Sequence, residues 1–390
     1  IQHAFTSQHR TLARGHDGRE GSHHCRIIET KVKLLKQRVI STGAFAGVTT
    51  ELQATGDDPS QRDVFVSIAQ GKRNSVNVEA GYSTTDGSGI LLSYERRNLG
   101  RAAQTLTLTT SVKTNQQSLS ANYFVPYAWR IPQSLDLNAE IAREDTDIFR
   151  GNRASVNALL THRFSKKFNV AGGLGVEASE LKEDIDGAVT SRAYLLEGIT
   201  RAVYDDRDDL LDPKSGFRVA AEILPAYDFG DAKRFFAIAK VDGSTYWNIN
   251  PTFTAAGRVK YGSIVGAPQS DIPLNKRFYG GGGGSVRGYG YQSISPESAD
   301  GTLVGGRAIL EGSAELRYRG FGNLGFVGFI DAASVSEAQY PEFDSALFGL
   351  GAGVRYYTAF APLRADIAIP LKRRDGDAAV QIYLSIGQAF

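Results

Sequence analysis

The chain reads as an all-β protein, a 16-stranded antiparallel transmembrane β-barrel. Three features carry that reading. From about Asn74 onward, segments of alternating apolar and polar residues recur roughly every twenty residues, broken by Gly, Asp, Asn or Pro clusters; strands of about ten residues plus turns have this spacing. The 390 residues include 43 Gly, 17 Tyr and 20 Phe, which suits tight turns and aromatic girdles. The final segment sets Val380, Ile382, Leu384, Ile386 and Phe390 on one face and Gln381, Tyr383 and Ser385 on the other. Mean hydropathy is −0.24 and no run of 18 apolar residues appears. A membrane helix is thereby disfavoured, but a barrel, which alternates lipid-facing and lumenal residues, is not. A soluble sandwich or propeller is the rival fold, and no blade repeat supports it.

Taken in order, residues 1–26 are polar and without period, and stay unassigned. His23, His24 and Cys25 are adjacent, a poor spacing for a tetrahedral metal site, and no second cluster completes them; neither metal nor cofactor is expected. A single cysteine rules out an internal disulfide. The chain opens on Ile1 and contains no Met, which predicts a piece of a longer precursor. Ile28, Val32, Leu35 and Val39 recur at helical spacing, predicting a helix over 27–39 that ends at Ser41-Thr42-Gly43. Strands are predicted at 48–54 and 64–69, split by the turn Gly56 to Ser60. Sixteen strands follow, near 74–84, 88–97, 102–114, 116–126, 134–146, 152–164, 167–180, 187–204, 214–228, 232–249, 252–265, 305–320, 324–337, 345–358, 362–373 and 378–390. An even number is what a closed bacterial barrel needs. Formal net charge is +2, which suggests no nucleic-acid partner.

Alternation also assigns the charges. Glu311, Glu315 and Arg317 oppose Leu310, Ala314 and Leu316; Phe329 and Asp331 oppose Phe326 and Ile330. Arg355 opposes Leu350 and Val354, while Arg364 and Asp366 oppose Leu363, Ile367 and Ile369. A charge facing lipid near the midplane costs about 2–4 kcal/mol, so these are predicted to face the lumen.

Between the strands ending near Gly266 and opening near Gly305 lies RFYGGGGGSVRGYGYQSISP, including Val286-Arg287-Gly288-Tyr289. This stretch closely resembles the long-loop signature of the BamA/TamA family of outer-membrane barrels, with GYGY and SISP following the arginine as in the TamA branch. The resemblance implies that the loop, about 273–300, folds back into the barrel. It implies that Arg287 is anchored by Asp331 of a Phe-x-Asp motif headed by Phe329, and by Glu315. Residues 349–371 resemble the family's closing strands, departing at Ala361, where glycine is usual. The last strand, with Tyr383, Gly387 and Phe390, resembles a C-terminal assembly signal. Residues 27–73 resemble the second half of a POTRA module, an α/β periplasmic domain that precedes such barrels.

The resemblance implies an outer-membrane factor, its N-terminal part periplasmic, that helps β-barrel or autotransporter clients into the bilayer; a TamB-like inner-membrane partner is implied with it. It implies no reaction. The physical means would be a weak seam between the first strand, 74–84, and the last, 378–390, with Val78 opposite Leu384 or a neighbour and the chain curling inward beyond Gly387. A two-partner-secretion pore is the alternative, BamA itself a nearer one. A barrel hydrolase has only His162 as a histidine in the barrel region and no nucleophile paired to it by motif.

Overall fold

A computed structural model of the protein describes residue 36 and residues 45–54, 62–85, 87–100, 103–129, 133–183, 190–299, 301–359 and 361–390. The chain divides into two compact units after Arg73. In the first, β1 (Phe45–Ala54) and β2 (Arg62–Gln70) form an antiparallel pair with Thr50 opposite Val66. Of the helix predicted over 27–39 only Lys36 is described, and it is helical. The turn 56–60 and His23, His24 and Cys25 lie outside the described residues.

The second unit is a closed barrel of sixteen antiparallel strands among the described residues. They are β3 (Asn74–Ser83), β4 (Gly87–Leu99), β5 (Gln104–Lys113), β6 (Gln116–Val125), β7 (Gln133–Asp145), β8 (Phe149–Arg163), β9 (Phe168–Glu183), β10 (Thr190–Asp205), β11 (Gly216–Asp228), β12 (Phe235–Asn250), β13 (Phe253–Val265), β14 (Ala308–Phe321), β15 (Leu324–Ser336), β16 (Leu347–Tyr357), β17 (Pro362–Pro370) and β18 (Gln381–Ile386). Each strand pairs with its chain neighbours, and β18 closes on β3. Among the described residues no helix is long and apolar enough to cross a membrane; the strands do the crossing.

The wall follows the period-2 rule. On β17, Leu363, Ala365, Ile367 and Ile369 point outward, and Arg364, Asp366 and Ala368 are buried inside. On β15, Phe326 and Ile330 face out while Val327, Phe329 and Asp331 face in. The segment joining β13 to β14, residues 266–307, folds into the barrel, Leu274 packing against β8 and β9, Ile272 against β10 to β13, and Val286 and Tyr289 against β14 to β16; it is longer than the loop predicted from sequence.

Two expectations are corrected. The last strand is six residues, not the thirteen of 378–390. Gly387 has φ +93°, a left-handed conformation that ends the alternation. Phe390 therefore does not extend the lipid-facing row of Ile382, Leu384 and Ile386. It turns into the barrel, its ring 6.3 Å from that of Tyr246 and 5.5 Å from the Arg317 guanidinium carbon. The seam register also differs. Leu384 lies opposite Tyr82 and Tyr383 opposite Ser83; Val78 has no β18 partner.

That seam is short. Two register pairs join β18 to β3, against fifteen between β9 and β10. Just beyond them, Thr84 N–H donates to the Ile382 carbonyl at 3.0 Å. Because the tail leaves the wall at Gly387, the stretch Asn74–Gly81 pairs with β4 but with no strand on its other side among the described residues.

Candidate functional site

The loop backbone is shaped by glycine where it must be. Gly288 has φ +105°, and a Cβ there would lie 2.8 Å from the Ile369 carbonyl of β17. This close approach lays the Val286–Tyr289 turn against the wall. Val286 and Tyr289 are fully buried, packed with Ile294, Ile309, Val335 and Leu347. The Tyr289 hydroxyl donates to the Lys372 carbonyl at 2.9 Å.

Between these two apolar anchors, Arg287 is 2 % exposed and meets three carboxylates. Its Nε and Nη2 donate to the two oxygens of Asp331 at 2.6 and 2.9 Å, a bidentate fork. Its backbone N–H adds a third bond to Asp331, 3.1 Å. Nη1 donates to Glu315 at 2.8 Å and to Asp366 at 3.1 Å. The guanidinium carbon lies 3.3 Å from the centroid of the Phe329 ring. Ser313 completes the shell, its hydroxyl donating to Asp331 at 2.6 Å. One side chain of the loop thus ties together β14, β15 and β17.

The remaining lumenal charges extend this network. Arg317 donates to Glu315 at 2.9 Å, and Arg364 to Asp366 at 2.6 Å. Arg355, fully buried, pairs with Asp366 and also reaches Gln388 of the tail at 3.2 Å. The Arg317 Nη2 also lies 2.9 Å from Glu315 as an ion pair, and the Tyr246 and Phe390 rings, 5.6 and 5.5 Å away, face its guanidinium. Glu311 sits apart, accepting from Ser285 of the loop at 2.6 Å and from Lys260 at 2.8 Å. Tyr383 on β18 accepts the Gly288 N–H at 2.9 Å, so the loop touches the seam strand directly.

A second anchor was not picked out from the sequence. Lys276 donates to Glu177 on β9 at 2.9 Å and to Glu197 on β10 at 2.6 Å, and Asn275 adds a bond to Glu177 at 2.8 Å. Burial alone would push the Lys276 ammonium down; the two carboxylates outweigh it and hold it above the ordinary lysine range. The signal in the sequence is a pair of inward-facing glutamates, Glu177 and Glu197, among apolar neighbours. The segment is therefore fixed at Lys276 to β9 and β10 and at Arg287 to β14, β15 and β17. Lys276→Met should deprive two buried carboxylates of their main counter-charge, leaving Glu177 only the Asn275 amide at 2.8 Å and Arg153 at 3.8 Å. It is expected to loosen the loop base by on the order of 3 kcal/mol. Hydrogen exchange should quicken at residues 274–280 and hold at 286–289; equal change at both ends would count against separate anchors.

No group of three His, Cys, Asp or Glu placed to hold a metal occurs among the described residues. His162 packs its ring 4.5 Å from that of Phe164.

A sixteen-stranded transmembrane barrel that binds its own long loop inside the lumen, and closes on a two-pair seam, defines a class of membrane protein. The model of the Omp85 superfamily domain matches residues 98–390, and the chain belongs to that superfamily. The outer membrane protein assembly factor BamA of Nitratidesulfovibrio vulgaris is 25 % identical over 375 residues, covering 92 % of this chain and 47 % of that protein. The chain thus spans about half the length of that relative. Among solved structures, BamA from Haemophilus ducreyi lacking POTRA domains 1–3 superposes with a TM-score of 0.76 at 18 % identity, covering 91 % of this chain and 78 % of that one. CdiB from Acinetobacter baumannii gives 0.60 at 16 %, covering 88 % and 66 %.

Proposed function

We propose that this chain is the barrel of a BamA-like assembly factor of a Gram-negative outer membrane, with the part before Asn74 in the periplasm, and that it helps β-barrel or autotransporter clients enter the bilayer. The observation that carries the reading is the seam. In lipid each unpaired backbone group costs several kcal/mol, so a strand edge that lacks a partner is a strong template for an incoming strand. Here the β3 edge from Asn74 to Gly81 is such an edge, beside a seam of two register pairs. A client strand that pairs with it offsets the cost of parting β3 from β18. The reading involves no catalysed reaction. The TamA-like order of GYGY and SISP in the loop favours autotransporters among the clients, and a TamB-like inner-membrane partner belongs to the same reading.

The test is reconstitution. Phospholipid vesicles holding the protein are mixed with a urea-unfolded client barrel. Client folding is read as heat-resistant mobility on gels. Faster folding than in empty vesicles is expected; equal rates would remove the assembly reading. The likeness in fold to CdiB supports a second reading, a polypeptide-conducting pore of the two-partner-secretion type. Large single-channel conductance without client folding would replace the first reading by this one.

A further inference from the structure

The outer wall carries a groove of about 610 Å³ across β5 to β10, far from the seam. Register explains its shape. One lipid-facing row runs Thr110, Leu119, Ile141, Ala154, Ala178, Tyr194, each opposite the next on the neighbouring strand. Ile141 and Tyr194 stand 59 % and 52 % exposed, while the two alanines between them leave a trough. The next outward row, nearer the rim that bears the roots of the long loop, changes character: Gln117, Arg143, Asn152, Glu180, Arg192. Beyond it Lys182 faces out opposite Arg150.

The charges here are not mutually satisfied. Glu180 is taken by Arg192, at 3.0 Å. Arg143 and Lys182 make no hydrogen bond or ion pair among the described residues, and both are exposed. They lie two strands and one outward row apart, about 12 Å across the wall, with Asn152 and Arg150 on the strand between them. Two long cationic side chains therefore stand exposed on the rim side of an apolar trough, Arg143 lining the groove itself.

We propose that this groove binds a phosphate-bearing lipid, its acyl chain lying over Ala154 and Ala178 and its phosphate held by Arg143 and Lys182. The apolar row fits a hydrocarbon chain, and the pair of cations fits an anionic headgroup at the hydrocarbon boundary. A soluble anion would find the cations but no use for the trough. A zwitterionic lipid would fill the trough but satisfy the cations less well.

The probe is phosphatidic acid in phosphatidylcholine vesicles. The protein is reconstituted, and the lipids it retains on gentle release are counted by native mass spectrometry. Wild type is expected to be enriched in phosphatidic acid. Arg143→Gln with Lys182→Gln should lower that enrichment by roughly tenfold, since each cation near the surface contributes appreciably. Ala154→Leu with Ala178→Leu, which fills the trough and keeps the cations, should lower retention of both lipids. Arg96→Gln, an outward cation at the opposite rim, is the control and should change nothing. All variants are checked for heat-resistant folding, and Arg143→Lys should retain most of the enrichment. The proposal is overturned if the double glutamine variant keeps the wild-type enrichment, or if Arg96→Gln removes it equally. It is also overturned if the leucine pair leaves retention unchanged, since the anion would then be held without its chain.

Discussion

Replacing Arg287 by alanine is expected to release the loop from the lumen while the sixteen-stranded wall still closes. The cost falls unevenly on the three carboxylates. Glu315 keeps Arg317, and Asp366 keeps Arg355 and Arg364. Asp331 keeps only two neutral donors, the Ser313 hydroxyl and the backbone N–H of residue 287, and no counter-charge. An ionised group stranded 1 % exposed without its counter-charge typically costs about 3–5 kcal/mol. That penalty is borne by the loop-bound state alone, so the loop should be driven off the wall. Protease cleavage within residues 281–296 should rise steeply, with heat-resistant mobility retained. Arg287→Lys should fall between, because an ammonium cannot make the fork to Asp331 and reach Glu315 together. Combining Arg287→Ala with Asp331→Asn removes the stranded charge and should recover part of the protection, a coupling that a double-mutant cycle measures. Wild-type cleavage in Arg287→Ala would show that Val286 and Tyr289 hold the loop unaided.

Cross-linking the seam should abolish client assembly. With Cys25→Ser as background, Tyr82→Cys and Leu384→Cys place two thiols directly opposite each other on the lipid-facing side. Oxidation would join β3 to β18 where only two register pairs now hold them. Parting strands in lipid is already costly per backbone group, and a covalent bond makes it impossible. Client folding should drop to the rate of empty vesicles and return on reduction, with any ion conductance unchanged in both states. If the oxidised protein assembles clients as fast as the reduced one, opening at this seam is not the means. A pair at Leu91 and Ser111, opposite each other on β4 and β5, is the control and should have no effect.

How far the sequence could be read depended on the physics behind each feature. The sixteen strands were legible because lipid punishes a misplaced charge, so every wall strand must alternate; Arg364 and Asp366 against Leu363 and Ile367 show the rule on one strand. The contacts of Arg287 were reachable only through the motif, since its partners lie 28, 44 and 79 residues away. Lys276 has no such flag, and Glu177 is 99 residues distant. Phe390 was assigned to the wrong face because alternation was carried through Gly387, whose positive φ breaks it. The seam register was misread for a related reason: it depends on where the tail leaves the wall, a tertiary event that no local pattern encodes.

The bond from the Gly288 N–H to the Tyr383 hydroxyl has a thermodynamic consequence. It makes the inner loop a ligand of β18, the strand that the proposed opening would move, so on that reading loop docking and seam opening are linked equilibria. Linkage is reciprocal. Whatever free energy a docked loop adds to holding β18 in place, a displaced β18 subtracts from the affinity of the loop for its site. A client strand arriving from the bilayer would thus be felt by Arg287 without touching it, and an event inside the lumen would change how readily the wall yields outside.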